Sequence, residues 1–279
     1  MADFSGKVVF ITGGTRGIGL AMAEKLASQG ARIAIAAKTV DPNPKLPGTL
    51  SSAAAAVEAA GGECLPLQVD IRDEARLEQA VRQTAEHWGG IDILINNASA
   101  ISLTPTEVTT MKKFDLMFGV NVRGTFASTQ ACLPYLRASA KAGRNPHVLT
   151  LSPPLNLNPA WFASHVAYTM AKYGMSMCVL GHAKEFKHQG IAVNALWPQT
   201  AIYTAAMQMI PGVMPEHCRT PAIMADAASE ILSWPVGPAE HTGQFLIDED
   251  VLRKAGVSNF DGYSTVPGST QIQKDFFLD

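Results

Sequence analysis

Tyr168 and Lys172 are the two residues whose types and spacing best suit proton transfer. They stand four positions apart in the run YTMAK, a spacing that places both side chains on one face of a helix. A free tyrosine has a pKa of about 10, which is too high for ready proton exchange at neutral pH. A neighbouring ammonium group favours the phenolate and lowers that pKa, so the pair is suited to general acid/base chemistry.

A glycine-rich turn near the N-terminus is suited to holding phosphate groups. Gly13, Gly17 and Gly19 follow the strand-like run KVVFIT and open a helical pattern. Glycines allow the positive φ of a tight turn and let backbone N–H groups approach a pyrophosphate, and the helix N-terminus adds partial positive charge. Because strand, turn and helix come in the order that a dinucleotide site requires, the sequence predicts such a site here.

The second strand-like run indicates which dinucleotide is bound. A site for NAD usually ends this strand in a carboxylate that binds the adenosine ribose. Here the strand-like run ends at Lys38, and Arg16 stands within the glycine turn. Two cations at this position would attract a 2′-phosphate, whereas a carboxylate would repel it. The sequence therefore favours NADP(H) as the cofactor.

The elements that must position these residues alternate along the chain. Strands are predicted at 7–12, 31–37, 64–69, 92–97, 147–152, 191–197 and 243–249. Helices are predicted at about 17–29, 49–60, 74–88, 107–141 with a break near Gly119 to Arg123, 165–188 and 222–234. Most strands are apolar without alternation, which suits strands covered on both faces. The predicted fold is α/β of Rossmann type, with a doubly wound, seven-stranded, mainly parallel sheet and helices on both faces.

One domain over residues 1–279 is the favoured organisation, because the alternation is continuous and no low-complexity linker or internal repeat interrupts it. Residues 39–48 hold three prolines and are predicted to form a loop. From about residue 250 the pattern becomes less regular. This tail ends in the apolar run DFFLD, and we expect it to pack on the surface or against a partner subunit.

Composition excludes several classes of partner. The chain is 47% apolar and 16% charged with a net charge of −2, which does not suggest a nucleic-acid or anionic-membrane partner. No apolar run approaches the length of a membrane span, and the N-terminus lacks a targeting pattern. A cytoplasmic location is therefore expected. No metal site is predicted, because the cysteines Cys64, Cys132, Cys178 and Cys218 are widely separated.

Five motifs resemble those of the short-chain dehydrogenase/reductase family. They are TGxxxGIG at 12–19, VDI at 69–71, NNAS at 96–99, VNVRG at 120–124 and YxxxK at 168–172. They occur in family order, and the resemblance covers residues 6 to 250. It implies a Rossmann-type fold and hydride transfer between a nicotinamide cofactor and a carbonyl or alcohol.

The resemblance also implies residue roles. Gly13, Gly17, Ile18 and Gly19 would hold the pyrophosphate, Asp70 and Ile71 would border the adenine, and Asn97 and Ala98 would flank the cofactor ribose. Lys172 would also bind the nicotinamide ribose, and Asn121 would support a water-mediated proton relay to it. Pro198 keeps a family position, and Ile202 and Thr204 would contact the nicotinamide carboxamide. Family members commonly pair through the two long helices near 107–141 and 165–188, so a homodimer or homotetramer is expected.

The third catalytic group stays open. The family serine usually lies about thirteen residues before the tyrosine, where this sequence has Leu155. Ser152 ends the fifth predicted strand, ahead of two prolines that stiffen the exit from it. Asn156 or Asn158 could instead donate an amide N–H to a carbonyl oxygen. The fourth possibility is a site without a third member.

The substrate is expected to be a small apolar carbonyl or alcohol of fatty, terpenoid or steroid-like character. The segment 200–218 occupies the family's variable substrate lid, and its Met207, Met209 and Met214 suit an irregular apolar ligand. Trp161 and Phe162 would line the opposite wall. Two alternatives are a non-catalytic NADP(H)-binding regulatory module, which the displaced serine favours, and an enoyl-CoA reductase.

Overall fold

Seven strands build the central sheet of the computed structural model, which describes residues 2–43, 46–210 and 212–279. They are β1 (Val8–Thr12), β2 (Arg32–Ala37), β3 (Glu63–Gln68), β4 (Ile93–Asn96), β5 (His147–Thr150), β6 (Ala192–Trp197) and β7 (Phe245–Ile247). Their order across the sheet is β3-β2-β1-β4-β5-β6-β7. Every neighbouring pair is parallel, so the predicted α/β fold is confirmed, and its sheet is parallel throughout.

Helices cover both faces of this sheet. They are α1 (Gly17–Ala27), α2 (Leu50–Ala59), α3 (Glu74–Trp88), α4 (Met111–Met117), α5 (Gly124–Lys141), α6 (Ala160–Ala163), α7 (Val166–Phe186), α8 (Ala222–Ser233) and α9 (Asp248–Lys254). Residues of α1, α2, α8 and α9 form one buried apolar layer, and residues of α3, α5 and α7 form the other. Successive residues of β1 point to opposite layers, as Val9 and Phe10 do. Burial on both faces explains why these strands are apolar without alternation.

The predicted break near Gly119 to Arg123 is not a break in the helix. Residues 118–123 form a π-helical turn that joins α4 directly to α5. A π-helical turn widens the helix locally and is often found at functional sites. Its only fully buried polar side chain among the described residues of the turn is that of Asn121.

The tail packs differently from the prediction. After α9 the chain is irregular, with short bridges from Thr200 to Lys274 and from Arg219 to Ser264. Phe277 is buried in the chain's own third apolar cluster, together with Tyr168 and Trp197. The expectation of a surface or partner contact for DFFLD was therefore wrong for Phe277, because its ring fills a space beside the end of the sheet. No helix among the described residues is long and apolar enough to cross a membrane.

Candidate active site

Tyr168 and Lys172 line a cavity of about 190 Å³ at the carboxyl ends of the strands. Predicted cofactor residues from three other elements line it as well, namely Ile18, Asn97, Pro198, Ile202 and Thr204. The carboxyl ends of parallel strands are where ligands bind in open α/β sheets. The fold thus brings the predicted acid/base pair and the predicted nicotinamide contacts to one place.

Lys172 is held at the inner wall of this cavity. It lies one turn after Tyr168 on α7, and its Nζ donates a hydrogen bond of 2.6 Å to the carbonyl oxygen of Leu151. The same Nζ lies 4.9 Å from the centre of the Trp197 ring. The ammonium group is therefore held by the residue that follows β5 and by β6, as well as by its own helix.

Burial governs the protonation of both groups. It lowers the pKa of Lys172 to about 7, against a smaller opposing effect of Asp275. It raises the pKa of Tyr168, and the carboxyl group of Asp275 raises it further. The net direction at Tyr168 is opposite to the lowering expected from the sequence, since burial disfavours the phenolate. Tyr168 therefore carries its proton at neutral pH.

None of the three candidates for the third catalytic group is among the described residues that line the cavity. Leu151 lines the cavity, whereas Ser152 is fully buried, and its Oγ has no hydrogen-bond partner among the described residues. Asn156 Nδ2 donates to the carbonyl oxygen of Phe277 at 3.4 Å. Asn158 Oδ1 accepts a hydrogen bond from Ala160 N, and its side chain is exposed. The proline-stiffened loop thus leaves one hydroxyl unsatisfied next to the lysine's carbonyl partner.

The glycine turn has little room for side chains. A Cβ atom on Gly19 would lie 2.4 Å from Asn97 Nδ2 and 2.9 Å from the carbonyl oxygen of Gly13. Gly13 and Gly17 have φ values of +71° and +55°, which side-chain-bearing residues rarely adopt. These positions require glycine, and the bare backbone that results is the form that a pyrophosphate site needs.

Asn97 and Ala98 tie the end of β4 to this turn. Asn97 Nδ2 donates to the carbonyl oxygens of Thr12 and Gly13, each at 3.0 Å. The backbone N–H groups of Asn97 and Ala98 both donate to Thr12 Oγ1 at 3.1 Å. The two residues border the predicted ribose side of the cleft, and this network fixes the glycine turn there.

Arg16 and Lys38 both lie at the end of the crevice predicted for the adenosine. The guanidinium group of Arg16 donates to Thr39 Oγ1 at 2.8 Å and to the carbonyl oxygen of Leu46 at 3.2 Å. Lys38 Nζ lies 3.3 Å from Asp70 Oδ2. Both cations therefore stand beside the loop that follows β2, and each is held by protein oxygens.

Asp70 is held in its ionised form by two cations. Arg72 donates to it through Nε and an amino nitrogen, at 3.0 and 2.6 Å, and these hydrogen bonds lower the pKa of Asp70 well below its usual range. Ile71 is buried, and its side chain lies 2.9 Å from where a Cβ of Gly124 would stand. Asp70 thus faces the crevice end, whereas Ile71 packs under the start of α5.

The proline-rich loop folds over the glycine turn. A Cβ atom on Gly48 would lie 2.4 Å from the carbonyl oxygen of Thr15, and Gly48 has a φ of +106°. Pro44 and Lys45 of the predicted loop lie outside the described residues. The described part confirms a loop and places it against the turn that carries Arg16.

Asn121 is engaged with backbone and not directly with Lys172. Its Oδ1 accepts from Ala100 N at 2.7 Å, and its Nδ2 donates to the carbonyl oxygen of Ala100 at 3.1 Å. The side chain therefore anchors the segment after β4, which includes the cavity residues Ser99 and Ile101. The relay role implied for Asn121 stays a prediction.

The lid residues divide between two neighbouring cavities. Met207 lines the Tyr168 cavity and also a second cavity of about 380 Å³, which Trp161 lines as well. Phe162 packs edge-to-face on Tyr173, with ring centres 5.5 Å apart. Met214 is exposed, and the side chain of Met209 lies outside the described part of the chain. Met207 thus borders the Tyr168 cavity, Trp161 borders only the neighbouring one, and Phe162 packs against Tyr173 instead.

Asp275 and Phe276 line the Tyr168 cavity, and the site residues predicted from the sequence did not include them. They lie more than a hundred residues after Tyr168, in a tail without clear periodicity. The one available signal was the apolar end of DFFLD, which predicts burial but does not indicate which part of the protein the tail packs against. A larger groove of about 720 Å³ between α1 and α8 contains neither Tyr168 nor Lys172, so the smaller cavity is the candidate reaction site.

Comparison with known proteins identifies the family. The short chain dehydrogenase family profile matches residues 7–211. Hydroxysteroid dehydrogenase-like protein 2 from Danio rerio is 58% identical over 276 residues, which cover 99% of this chain and 64% of that protein. The chain belongs to the short-chain dehydrogenase/reductase family. Members of this family are oxidoreductases that bind nicotinamide cofactors.

Solved structures of the family agree closely with the fold. A structure from Xanthomonas campestris aligns with a TM-score of 0.94 at 53% identity, over 99% of both chains. A short chain dehydrogenase from Mycobacterium thermoresistibile aligns with a TM-score of 0.91 at 47% identity, over 99% of this chain and 96% of that one. The resemblance therefore includes the tail, which lies beyond the residues matched by the family profile.

Family members with bound cofactor include both kinds of dinucleotide. A metagenomic short-chain oxidoreductase in complex with NADP aligns with a TM-score of 0.70 at 25% identity, over 88% of this chain and 97% of that one. An NADH-dependent reductase in complex with NAD aligns with a TM-score of 0.70 at 27% identity, over 88% of this chain and 95% of that one. Family membership thus establishes a nicotinamide cofactor, and the choice between the two depends on this chain's own residues.

Proposed function

We propose that this protein is an NADP(H)-dependent oxidoreductase that interconverts a carbonyl and an alcohol on an apolar substrate. The observation that carries this proposal is the meeting of Tyr168 and Lys172 with Ile18, Pro198 and Thr204 in one cavity. When bound, the nicotinamide supplies or accepts the hydride. Tyr168 then gives its proton to the substrate oxygen in reduction, and Lys172 stabilises the negative charge left on the phenol oxygen.

NADP(H) is favoured by the charges at the adenosine end. Lys38 directly follows β2, and Arg16 contacts Thr39, the residue after Lys38. An incoming 2′-phosphate would take the place of Asp70 and Leu46 as the partner of these two cations. The counter-argument is Asp70 itself, whose carboxylate remains ionised near this position.

An apolar substrate is favoured by the remaining walls of the cavity. Ile101, Trp197, Met207 and Phe276 line it and contribute mainly apolar surface. A fatty, terpenoid or steroid-like carbonyl would bury its apolar part against these side chains, which favours binding by the hydrophobic effect. The name of the Danio rerio relative refers to hydroxysteroids, which is compatible with this class.

Ser152 remains the proposed third group. Its Oγ is buried without a hydrogen-bond partner in the described part of the chain, and a buried unpaired hydroxyl destabilises the fold until it finds one. A substrate carbonyl reaching past Leu151 would provide that partner. The same burial supports the second candidate function, a dinucleotide-binding module without turnover, since Ser152 is absent from the described cavity wall.

Homo-oligomerisation and a cytoplasmic location belong to the same proposal. The support for pairing is the exposed apolar surface on α5 and α7, where Phe126, Met170, Met177 and Leu180 are all exposed. Such a patch on two neighbouring helices is typical of an interface between subunits. The chain covers 64% of its Danio rerio relative. The proposal therefore takes over no partner of that longer protein.

A substrate screen tests the proposed function. NADPH oxidation would be followed with aldehydes, ketones and enoyl thioesters of increasing chain length, and each active compound would be retested with NADH. We expect turnover of apolar carbonyls with NADPH. Turnover of enoyl thioesters alone would favour an enoyl reductase, and NADPH binding without turnover of any compound would favour the binding module.

A further inference from the structure

The segment 273–279 closes one side of the reaction cavity. Its backbone is anchored to the segment after β6, where Ala201 N donates to the carbonyl oxygen of Gln273 at 2.9 Å and Asp275 N donates to that of Gln199 at 3.1 Å. Trp197 Nε1 donates to the carbonyl oxygen of Phe276 at 3.0 Å. The segment is therefore bound to the same strand end that carries the nicotinamide contacts.

Phe277 fixes this segment against the acid/base pair. Its ring is almost fully buried, and ring centres of Tyr168, Trp197 and Tyr173 lie 6.3, 5.8 and 5.3 Å from its own. Phe277 also has a φ of +69°, a backbone conformation that is uncommon for a residue with a side chain. The aromatic packing sets the direction in which the preceding residues, Asp275 and Phe276, face the cavity.

Asp275 brings a carboxyl group into a site that otherwise has a cation. It lines the same cavity as Lys172 and Tyr168. Among the described residues no ion pair within 4.0 Å joins Asp275 to Lys172, whose Nζ is held by Leu151 and lies over Trp197. The two charges therefore act on each other across the cavity and not through a direct contact.

We propose that Asp275 is a positioning residue of the active site, whose carboxylate keeps Lys172 charged and Tyr168 protonated across the cavity. The catalytic benefit of this effect rests on the proposed carbonyl reduction. The effect of Asp275 on the protonation of Lys172, however, can be measured without turnover. A negative charge favours the protonated form of every neighbouring group. Asp275 thereby extends towards higher pH the range in which Tyr168 can donate its proton beside a charged lysine.

The protonation of the surrounding groups agrees with this role. Asp275 raises the pKa of Lys172 against the larger lowering by burial, and it adds to the raised pKa of Tyr168. Burial raises the pKa of Asp275 itself to about 7, and Lys172 opposes that rise. The other titratable groups that act on Asp275 or respond to it are Asp248 at the start of α9 and the Cys218 thiol. Asp248 in turn lies near the ion pair of Arg219 and Glu249.

Lysine NMR tests this proposal without any substrate. The protein would carry ¹³C at the lysine Cε, and the resonance of Lys172 would be assigned as the one that Lys172→Arg removes. We expect Asp275→Asn to lower the titration midpoint of Lys172 by about one pH unit. The matched control is Asp279→Asn, the same change four residues along the segment at an exposed position, and it should leave the midpoint unchanged. Equal midpoints in Asp275→Asn and the parent would overturn the proposal.

The pH profile of turnover provides a second readout. With NADPH and decanal as the carbonyl probe, kcat should fall at high pH as Lys172 loses its proton. Asp275→Asn should move this fall to lower pH by about one unit, and Asp275→Glu should restore the parent profile. A lower kcat with an unmoved profile would mean that Asp275 is merely structural, and this would contradict the proposal. If the parent turns over no carbonyl, the proposed function fails, whereas the NMR midpoint still decides the role of Asp275.

Discussion

Two long-range partners set the properties of Lys172 at the residue scale. The carbonyl oxygen of Leu151 and the ring of Trp197 hold an ammonium group that is almost fully buried. Burial brings its pKa to about 7, so a change of one charge nearby alters its protonation within the physiological range. The chemistry of Tyr168 thus depends on residues from three different elements.

Removing the two cations at the adenosine end should remove the preference for NADPH. In the double variant Arg16→Ala/Lys38→Ala, the affinity for NADPH should fall by at least about 100-fold, since two charge-assisted hydrogen bonds to phosphate are lost and each contributes roughly 1.5–3 kcal/mol. The affinity for NADH should change little. Both affinities can be measured by quenching of tryptophan fluorescence.

Lys25→Ala is the control for this pair. Lys25 lies on α1 near Arg16 but pairs with Asp226 at 2.7 Å, away from the crevice. Its replacement should leave both affinities unchanged. Equal affinities of the parent protein for NADPH and NADH would refute the 2′-phosphate argument.

Ser152→Ala should separate catalysis from stability. The hydroxyl has no partner among the described residues, so its removal should not lower the free energy of unfolding measured by urea denaturation. If Ser152 holds the substrate oxygen, kcat should fall by about 100-fold, as expected for the loss of one such donor. An unchanged kcat would assign the role to Asn156 or Asn158, or to no third group.

At the scale of elements, α7 connects the acid/base pair to the π-helical turn. Gly174 lies on α7 half a turn after Lys172, and a Cβ there would stand 2.6 Å from Val122 Cγ2 in that turn. Val122 directly follows Asn121, which anchors the segment after β4. The close approach at Gly174 therefore fixes the distance between the two elements that border the site.

Gly174→Ala should destabilise the protein, whereas Gly181→Ala on the same helix should not. A methyl group at 174 forces Val122 to move, and such overpacking costs about 1–3 kcal/mol. Nothing lies within 4 Å of the Cβ position at Gly181, so alanine there should raise the free energy of unfolding by about 0.5–1 kcal/mol. Urea denaturation of both variants checks the pair, and equal effects would contradict the predicted contact.

The elements were also the part of the fold that the sequence predicted best. Buried strands such as β1 and β6 are continuous apolar runs, and α3 shows one buried stripe, so local pattern was sufficient. The π-helical turn at 118–123 was mistaken for a break, because Gly119 and Gly124 are needed for close contacts with Arg72 and Ile71 and not for a helix end. The position of the tail could not be predicted, since it depends on the space that Trp197 and Tyr168 leave for Phe277.

For the whole molecule, the unexplained surface is the exposed apolar patch on α5 and α7. Phe126 and Met177 have exposed fractions of 50% and 61%. Because about half of each side chain is already covered, burying the rest against a second copy would contribute about 1 kcal/mol each. None of the patch residues lines the cavity of Tyr168 and Lys172.

Charges placed in this patch should dissociate the oligomer. Phe126→Glu/Met177→Glu should convert a dimer or tetramer into smaller species in multi-angle light scattering, because it buries two unpaired charges in the interface. Val266→Glu, which places the same charge at an exposed residue outside the patch, should leave the assembly unchanged. A parent protein that is monomeric at all concentrations would contradict the proposed pairing.

The replacement Tyr168→Phe tests the central proposal most directly. It removes one hydroxyl from a ring that is already buried, so fold and NADPH affinity should be retained. We predict that NADPH-dependent reduction of a carbonyl accepted by the parent falls by at least about 100-fold, whereas Tyr135→Phe on α5 keeps the parent rate. Carbonyl turnover at the parent rate in Tyr168→Phe, with NADPH bound as tightly as before, would contradict Tyr168 as the proton donor.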